Sequence, residues 1–127
     1  ELAAAYAAFD VFVHFGTKET FGQTIQEAQA TGLPLVAPNS GGPKFLVEHG
    51  ETGFLAEPGA TKFDGLSHRS LVAALLEDQA LRARVGENAR RSVLKKSWEA
   101  NNAALLRYYD QAMDYAKSAK TQAYELA

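Results

Sequence analysis

Three short apolar segments alternate with helix-forming stretches in the first 60 residues, and no other feature constrains the fold as strongly. The segments are residues 10–15, 33–38 and 52–56, and each is rich in branched or aromatic side chains and ends near a glycine or a proline. Such segments are typical of buried strands. Because strands joined by helical crossovers pair in parallel, the sequence predicts βαβ units and a parallel sheet.

Helices complete this prediction. Good helix formers fill residues 21–31 and a shorter stretch from about 44 to 49, and only helical patterns follow residue 60. Ser67, Asp78 and Ser97 stand where the N-caps of three further helices are expected. We therefore expect an α/β fold, with about three parallel strands and flanking helices in the first half and an all-helical second half.

Composition and charge exclude several classes of protein. The longest purely apolar run, residues 2–9, is far shorter than the roughly 20 residues that a membrane helix needs. Cysteine is absent, which excludes disulfides and thiolate metal sites and makes the cytoplasm the expected compartment. The eleven bases of residues 61–127 are scattered among eight acids at helical spacing, so we do not expect nucleic-acid binding.

The candidate site is a pair of glutamates, Glu19 and Glu27, with seven residues between them. The pair follows the first predicted strand, and open α/β sheets bind ligands at the carboxyl ends of their strands. If a helix begins near Phe21 or Gly22, its first N–H groups and its dipole form an anion site beside Gly22. The two carboxylates could then accept hydrogen bonds from hydroxyls at either end of an elongated diphosphate ligand. On spacing alone, two solvated glutamates on a helix remain the alternative interpretation.

The segment from Glu19 to Glu27 resembles the E-x7-E signature of retaining glycosyltransferases of family four, which have two Rossmann-like domains (the GT-B architecture). The similarity continues through residues 27–38, the Gly41-Gly42-Pro43 turn and residues 47–55. In its details the chain is most similar to bacterial GDP-mannose-dependent α-mannosyltransferases, and the residues that carry this similarity are 13–14, 16, 19–21, 26–28 and 41–43. The resemblance implies that residues 1–60 are the second half of a Rossmann-like, nucleotide-sugar-binding domain and that residues 61–127 are its C-terminal helices.

The resemblance also implies roles for individual residues. Glu19 would bind hydroxyls of the donor sugar and is the candidate catalytic residue, and Glu27 would bind the ribose hydroxyls. The backbone N–H groups from Phe21 to Thr24 would meet the sugar and the diphosphate. Gly41 and Gly42 would let the next loop lie close to the same pocket. The alternative is that this glycine pair only forms a turn before a helix. The donor-binding set is thus Glu19, Phe21, Gly22, Gln23, Thr24, Glu27, Gly41 and Gly42.

These roles imply a retaining hexosyltransferase that uses a nucleotide sugar, GDP-mannose by the closer resemblance, without a metal or another cofactor. The family places an arginine and a lysine for the diphosphate ahead of the residues present, and Lys18 and Lys44 are not at that motif. We therefore expect a fragment that is inactive alone, from a parent that binds an acceptor sugar or glycolipid through another domain. We expect the parent protein to lie in the cytoplasm. Whether it also binds peripherally to the inner membrane stays open. A non-catalytic α/β nucleotide-binding or interaction module is the competing interpretation.

The first predicted strand would lie at an exposed edge of such a fragment. In the strand order 3-2-1-4-5-6 of a Rossmann sheet, residues 10–15 form the fourth strand, whose neighbour, the first, would be missing. Val11, Phe12, Val13 and Phe15 leave that edge apolar, with no proline or lysine to block pairing. We therefore expect self-association through residues 10–15 or through the C-terminal helices.

Overall fold

The computed structural model describes residues 1–61 and 65–125, with residues 119–125 as helix backbone only. The chain forms two compact units, Glu1–Leu94 and Lys95–Ala127. In chain order the described elements are α1 (Leu2–Tyr6), β1 (Phe12–Val13), α2 (Gln23–Ala30), β2 (Leu35–Pro38), α3 (Pro43–Leu46), β3 (Phe54–Ala56), α4 (His68–Glu77), α5 (Gln79–Leu94) and α6 (Trp98–Glu125).

The sheet of the first unit confirms the predicted parallel arrangement. β2 lies between β1 and β3 and pairs with both in parallel, with Phe12 opposite Leu35. The ladder of β1 is shorter than the predicted strand, although the N–H of His14 still donates to the carbonyl of Val36 over 2.9 Å. Pairing does not extend back to residue 10, because the N–H that would donate to the carbonyl of residue 10 belongs to position 34, and Pro34 has none.

β2 is the centre of the core, because all its residues are buried. Side chains alternate between the two faces of a strand. Leu35 and Ala37 therefore pack on one face with Ile25 of α2, and Val36 packs on the other with Leu75 of α4. Helices on both faces provide the cover that a parallel sheet requires.

The three predicted N-caps are confirmed. Backbone N–H groups in the first turns of α4, α5 and α6 donate to the side chains of Ser67, Asp78 and Ser97 over 3.1, 2.9 and 3.2 Å. Each bond satisfies an N–H group that a helix start leaves without an intrahelical acceptor. Because α4 packs on β2 and α5 packs on α2, the first unit continues to Leu94, past the change of pattern at residue 60.

Two predicted helices are shorter than expected, for local backbone reasons. α2 begins at Gln23 because Gly22 has a φ of 87°, which is left-handed and cannot continue a right-handed helix. α3 ends at Leu46 because the next residue, Val47, is extended, with φ of −115° and ψ of 122°. The third strand likewise begins at Phe54 instead of residue 52.

α6 is the long helix of the second unit, and the large apolar side chains of its residues 98–115 are exposed. Ser97 and the backbone N–H of Glu99 both stabilise the Glu99 carboxylate at its first turn, and the backbone bond is the larger cause of the lowered pKa of that carboxyl. Of the apolar side chains, Trp98 is 80% exposed and Tyr109 is 58% exposed. Among the described helices, none combines the length with the apolar character that crossing a bilayer demands.

Candidate functional site

The loop between β1 and α2 borders a recess that gathers most of the predicted site residues. The chain leaves the carboxyl end of β1 at His14 and enters α2 at Gln23. The recess has a volume of about 340 Å³, and it is lined by Glu19, Thr20, Phe21, Gly22, Gln23 and Thr24. All of these except Thr20 belong to the donor-binding set expected from the sequence. Thr20 was missed because its only signal is its position between two predicted residues.

Glu19 is held by the backbone that follows it. Its carboxylate oxygen Oε1 accepts a hydrogen bond from the N–H of Gly22 over 3.1 Å and another from the N–H of Phe21 over 3.4 Å. The side chain is half-buried, and its Oε2 accepts no hydrogen bond from the described part of the chain. Glu19 therefore presents one fixed oxygen to the protein and one open oxygen beyond it.

Gly22 makes the sharp entry into α2. Its φ of 87° suits a glycine, and a Cβ built there would lie 2.9 Å from Cδ1 of Leu46. The turn leaves the N–H groups of Gln23 and Thr24 without an acceptor among residues 1–61 and 65–125. The four N–H groups that were expected to meet the donor therefore differ. Those of Phe21 and Gly22 already donate to Glu19, whereas those of the two residues that follow are free to bind a ligand. Open N–H groups at the positive end of a helix dipole favour an anion.

Gly41 and Gly42 bring a second loop against the first by backbone contact. The N–H of Gly42 donates to the carbonyl oxygen of Glu19 over 2.8 Å. A Cβ on Gly41 would lie 2.6 Å from that same oxygen, and a Cβ on Gly42 would lie 2.9 Å from the carbonyl oxygen of Phe21. The glycine pair therefore has a packing role beside the recess, and its contact with a ligand stays a prediction.

Glu27 lies on α2, outside the lining of the recess and roughly 6 Å further along the helix axis than Gln23. Its Oε2 accepts a hydrogen bond from the phenol of Tyr6 over 3.3 Å, and its Oε1 accepts none from the described residues. Burial, and after it the negative charge of Glu27, raises the pKa of the Tyr6 phenol. Nothing in the sequence pointed to Tyr6, which stands 21 residues before Glu27 in an alanine-rich run.

His14 and His68 support the beginning of the site loop. The carbonyl of His14 lies 3.0 Å from Nε2 of His68, whose ring also packs on Phe15 with 4.7 Å between the ring centroids. Nε2 of His14 is buried and has no hydrogen-bond partner in the described part of the chain. Across residues 1–61 and 65–125, histidine, aspartate and glutamate side chains nowhere gather in threes that could hold a metal ion.

A parallel sheet covered by helices, with a polar recess where a strand ends, is the arrangement of α/β proteins that bind ligands at that edge. A family model for glycosyl transferases group 1 matches residues 1–92, so the chain belongs to this family. The resemblance seen in the segment from Glu19 to Glu27 is thereby confirmed, and so is the expected fold class.

Individual relatives agree with the family. The chain is 46% identical over 112 residues to the GDP-mannose-dependent alpha-mannosyltransferase of Mycolicibacterium smegmatis, a match that covers 88% of this chain and 28% of the relative. Sucrose-phosphate synthase of Thermosynechococcus elongatus is similar in structure, with a TM-score of 0.74 and 32% identity over 90% of this chain and 28% of that one. HepE of Anabaena, solved in complex with UDP and glucose, has a TM-score of 0.69 and 28% identity over 87% of this chain and 29% of its own. The chain thus spans less than a third of each relative.

Proposed function

We propose that this chain provides the donor-binding part of a retaining hexosyltransferase whose donor is a nucleotide sugar, GDP-mannose. The proposal rests on the state of two carboxylates. The protein holds one oxygen of each, Oε1 of Glu19 through backbone N–H groups and Oε2 of Glu27 through the phenol of Tyr6. The other oxygen of each accepts no hydrogen bond from the described residues. Such pre-held acceptors suit the hydroxyl groups of a hexose and a ribose.

On this proposal each part of the site meets a different part of the donor. Glu19 accepts hydrogen bonds from hydroxyls of the sugar, and Glu27 accepts them from hydroxyls of the ribose. The open N–H groups of Gln23 and Thr24 bind the diphosphate between them. When the hexosyl group is transferred, the diphosphate departs with the nucleotide and gains negative charge. N–H groups at a helix start stabilise charge of that sign.

Relatives support a nucleotide-sugar donor, and one of them supports GDP-mannose in particular. The similar protein of M. smegmatis is a GDP-mannose-dependent alpha-mannosyltransferase, and HepE is seen with UDP and glucose. Because the chain spans 28% of the first of these, we assign the acceptor, a sugar or a glycolipid, to a second domain of the complete protein. For that protein we propose a cytoplasmic place, peripheral at the inner membrane surface where its acceptor is a lipid.

Thermal unfolding of the complete protein tests the choice of donor. We expect GDP and GDP-mannose to raise the melting temperature and UDP-glucose to leave it unchanged. A ligand at a hundred times its Kd stabilises the folded state by about 2.7 kcal/mol, which is easily measured. A rise with UDP-glucose and none with GDP-mannose would contradict the proposed donor.

A transfer assay with GDP-mannose then separates the enzyme from a non-catalytic module. We expect transfer by the complete protein and none by the 127-residue chain alone, because transfer requires both reactants to be held in place. GDP binding by the complete protein without any transfer would instead support a non-catalytic nucleotide-binding module.

We also propose that the 127-residue chain self-associates through β1. No described strand covers the outer edge of β1, and Phe15 just beyond it is 70% exposed. An apolar hollow of about 590 Å³ lies beside that edge, and it is lined by Val13, Phe15, His68, Arg69, Val72, Ala73 and Leu76. A second copy of the chain can cover this hollow and pair its own β1 with the open edge. The exposed apolar side chains of α6 offer the alternative surface.

Sedimentation at high micromolar concentration checks this proposal. We expect a dimer or larger species, and we expect Leu76→Glu to return the chain to a monomer by placing a charge in the hollow. Leu2→Glu is the matched control, because Leu2 is 59% exposed and Leu76 is 58% exposed, and only Leu76 lines the hollow. A wild-type chain that is monomeric would contradict self-association. A Leu76→Glu chain that still forms a dimer would indicate that the chain associates through α6 instead of β1.

A further inference from the structure

We propose that Tyr6 is a positioning residue that holds Glu27 in the conformation that binds the ribose. This inference rests on the ribose-binding role proposed for Glu27. Tyr6 is outside the E-x7-E segment, and no ligand contact of its own is required for the role. Its phenol acts only through the carboxylate that it holds.

The contact with Tyr6 is the only hydrogen bond that the Glu27 side chain makes to the described residues. Glu27 is exposed on α2, so without Tyr6 its side chain would populate several rotamers. Fixing such a side chain when a ligand binds costs conformational free energy, and a side chain that is already fixed lowers that cost. The phenol occupies Oε2 and leaves Oε1 open, so holding the carboxylate does not use up its capacity to accept hydrogen bonds.

Tyr6 is itself fixed by the sheet. Its ring packs edge-on against the ring of Phe12 in β1, with 5.8 Å between the centroids and 62° between the planes. Tyr6 is half-buried, whereas the other residues of α1 are exposed. The contact with β1 therefore fixes the position of the phenol oxygen. The phenol in turn fixes the position of the Glu27 carboxylate on α2. The raised pKa of Tyr6 keeps the phenol protonated, and so able to donate, throughout the neutral range.

Tyr6→Phe in the complete protein tests the inference, because it keeps the ring against Phe12 and removes only the hydroxyl. We expect the Kd for GDP to rise roughly three- to tenfold, with a matching rise in KM for the donor and an unchanged kcat. Tyr108→Phe, which removes a phenol hydroxyl from α6, is the control and should leave all three constants unchanged. Unchanged GDP binding in Tyr6→Phe would overturn the inference.

A double-mutant cycle separates this inference from the function on which it rests. We expect Tyr6→Phe to have no further effect on GDP binding once Glu27→Ala has removed the carboxylate. If Glu27→Ala alone leaves GDP binding unchanged, the ribose-binding role of Glu27 fails. If Glu27→Ala weakens binding and Tyr6→Phe does not, the role of Glu27 stands and only the role of Tyr6 fails.

Titration of the tyrosine rings by NMR tests whether Tyr6 and Glu27 meet in solution, which the inference requires. Removing the charge of Glu27 should lower the pKa of Tyr6 toward its ordinary value of 10.0. The fall should be partial, because burial is the larger cause of the raised pKa. A Tyr6 pKa that does not respond to Glu27→Ala would show that the two groups do not meet in solution, and would overturn the inference.

Discussion

Glu27→Gln in the complete protein should weaken GDP binding roughly ten- to a hundredfold, and Glu19→Gln should leave GDP binding intact while lowering transfer by a similar factor. The two results differ because GDP contains a ribose and no hexose. Each substitution replaces a charged acceptor by a neutral one and removes a hydrogen bond worth about 1.5–3 kcal/mol. A contact made to the sugar that is being transferred affects the reaction, whereas a contact to the ribose affects every ligand with that nucleotide.

The structure makes glutamine the appropriate replacement at position 19. Oε1 of Glu19 accepts hydrogen bonds from Phe21 and Gly22 at the entry to α2. The amide oxygen of glutamine can still accept them, so the entry is kept, while the amide NH2 replaces the open acceptor oxygen that the sugar hydroxyl would use. Glu19→Ala would remove the sugar contact and also the two hydrogen bonds that hold the entry to α2. Its effect on transfer could then not be assigned to the sugar contact alone.

Isothermal titration with GDP and a transfer assay with GDP-mannose measure the two effects. Glu48→Gln is the matched control, because Glu48 is exposed and its carboxylate makes no hydrogen bond or ion pair to the described residues. The control should match wild type in both assays. If Glu19→Gln and Glu27→Gln also match wild type, the roles assigned to the two carboxylates are wrong.

Features set by neighbouring residues were predictable from the sequence. Ser67, Asp78 and Ser97 cap helices because a short polar side chain reaches the N–H three residues later, and that geometry is local. The parallel order of the sheet was also predictable, because the crossovers between the strands are too long for hairpins. The exact start of α2 was not, because the left-handed conformation of Gly22 depends on the packing around it.

Contacts between residues that are far apart in the sequence could not be predicted from it. The pairing of Tyr6 with Glu27 depends on where α1 packs against β1. The residue types of α1 and α2 do not predict this pairing. The glycine pair shows the same limit. From sequence, Gly41 and Gly42 fit either a turn or a ligand contact, and only the folded chain places them against the backbone of Glu19 and Phe21.

Gly86 shows a further contact of this kind, and it leads to the largest expected effect on stability. Gly86 is a buried residue of α5, and a Cβ built on it would overlap the carbonyl oxygen of Gly32 just after α2. Backbone atoms cannot move aside as the end of a flexible side chain can. Arg90, one turn later on α5, donates to the carbonyl of Ala30 over 2.7 Å and holds the two helices at this separation.

Gly86→Ala should therefore destabilise the first unit, although alanine is the better helix former. Alanine gains about 1 kcal/mol in helix propensity over glycine. Overpacking a buried contact costs about 3 kcal/mol at the upper end of its usual range, and a collision with backbone belongs there. The net loss of about 2 kcal/mol predicts a fall in melting temperature of roughly 8–16 °C for a unit of this size.

Thermal unfolding followed by far-ultraviolet circular dichroism measures this fall, with Gly65→Ala as the control. A Cβ on Gly65 would meet nothing within 4 Å, so the control should unfold close to the wild-type temperature. A fall confined to Gly86→Ala means that α5 is pressed against the end of α2, the helix that carries the open N–H groups and Glu27. A Gly86→Ala chain as stable as wild type, or more stable, would mean that the helices lie further apart and that helix propensity alone decides the sign.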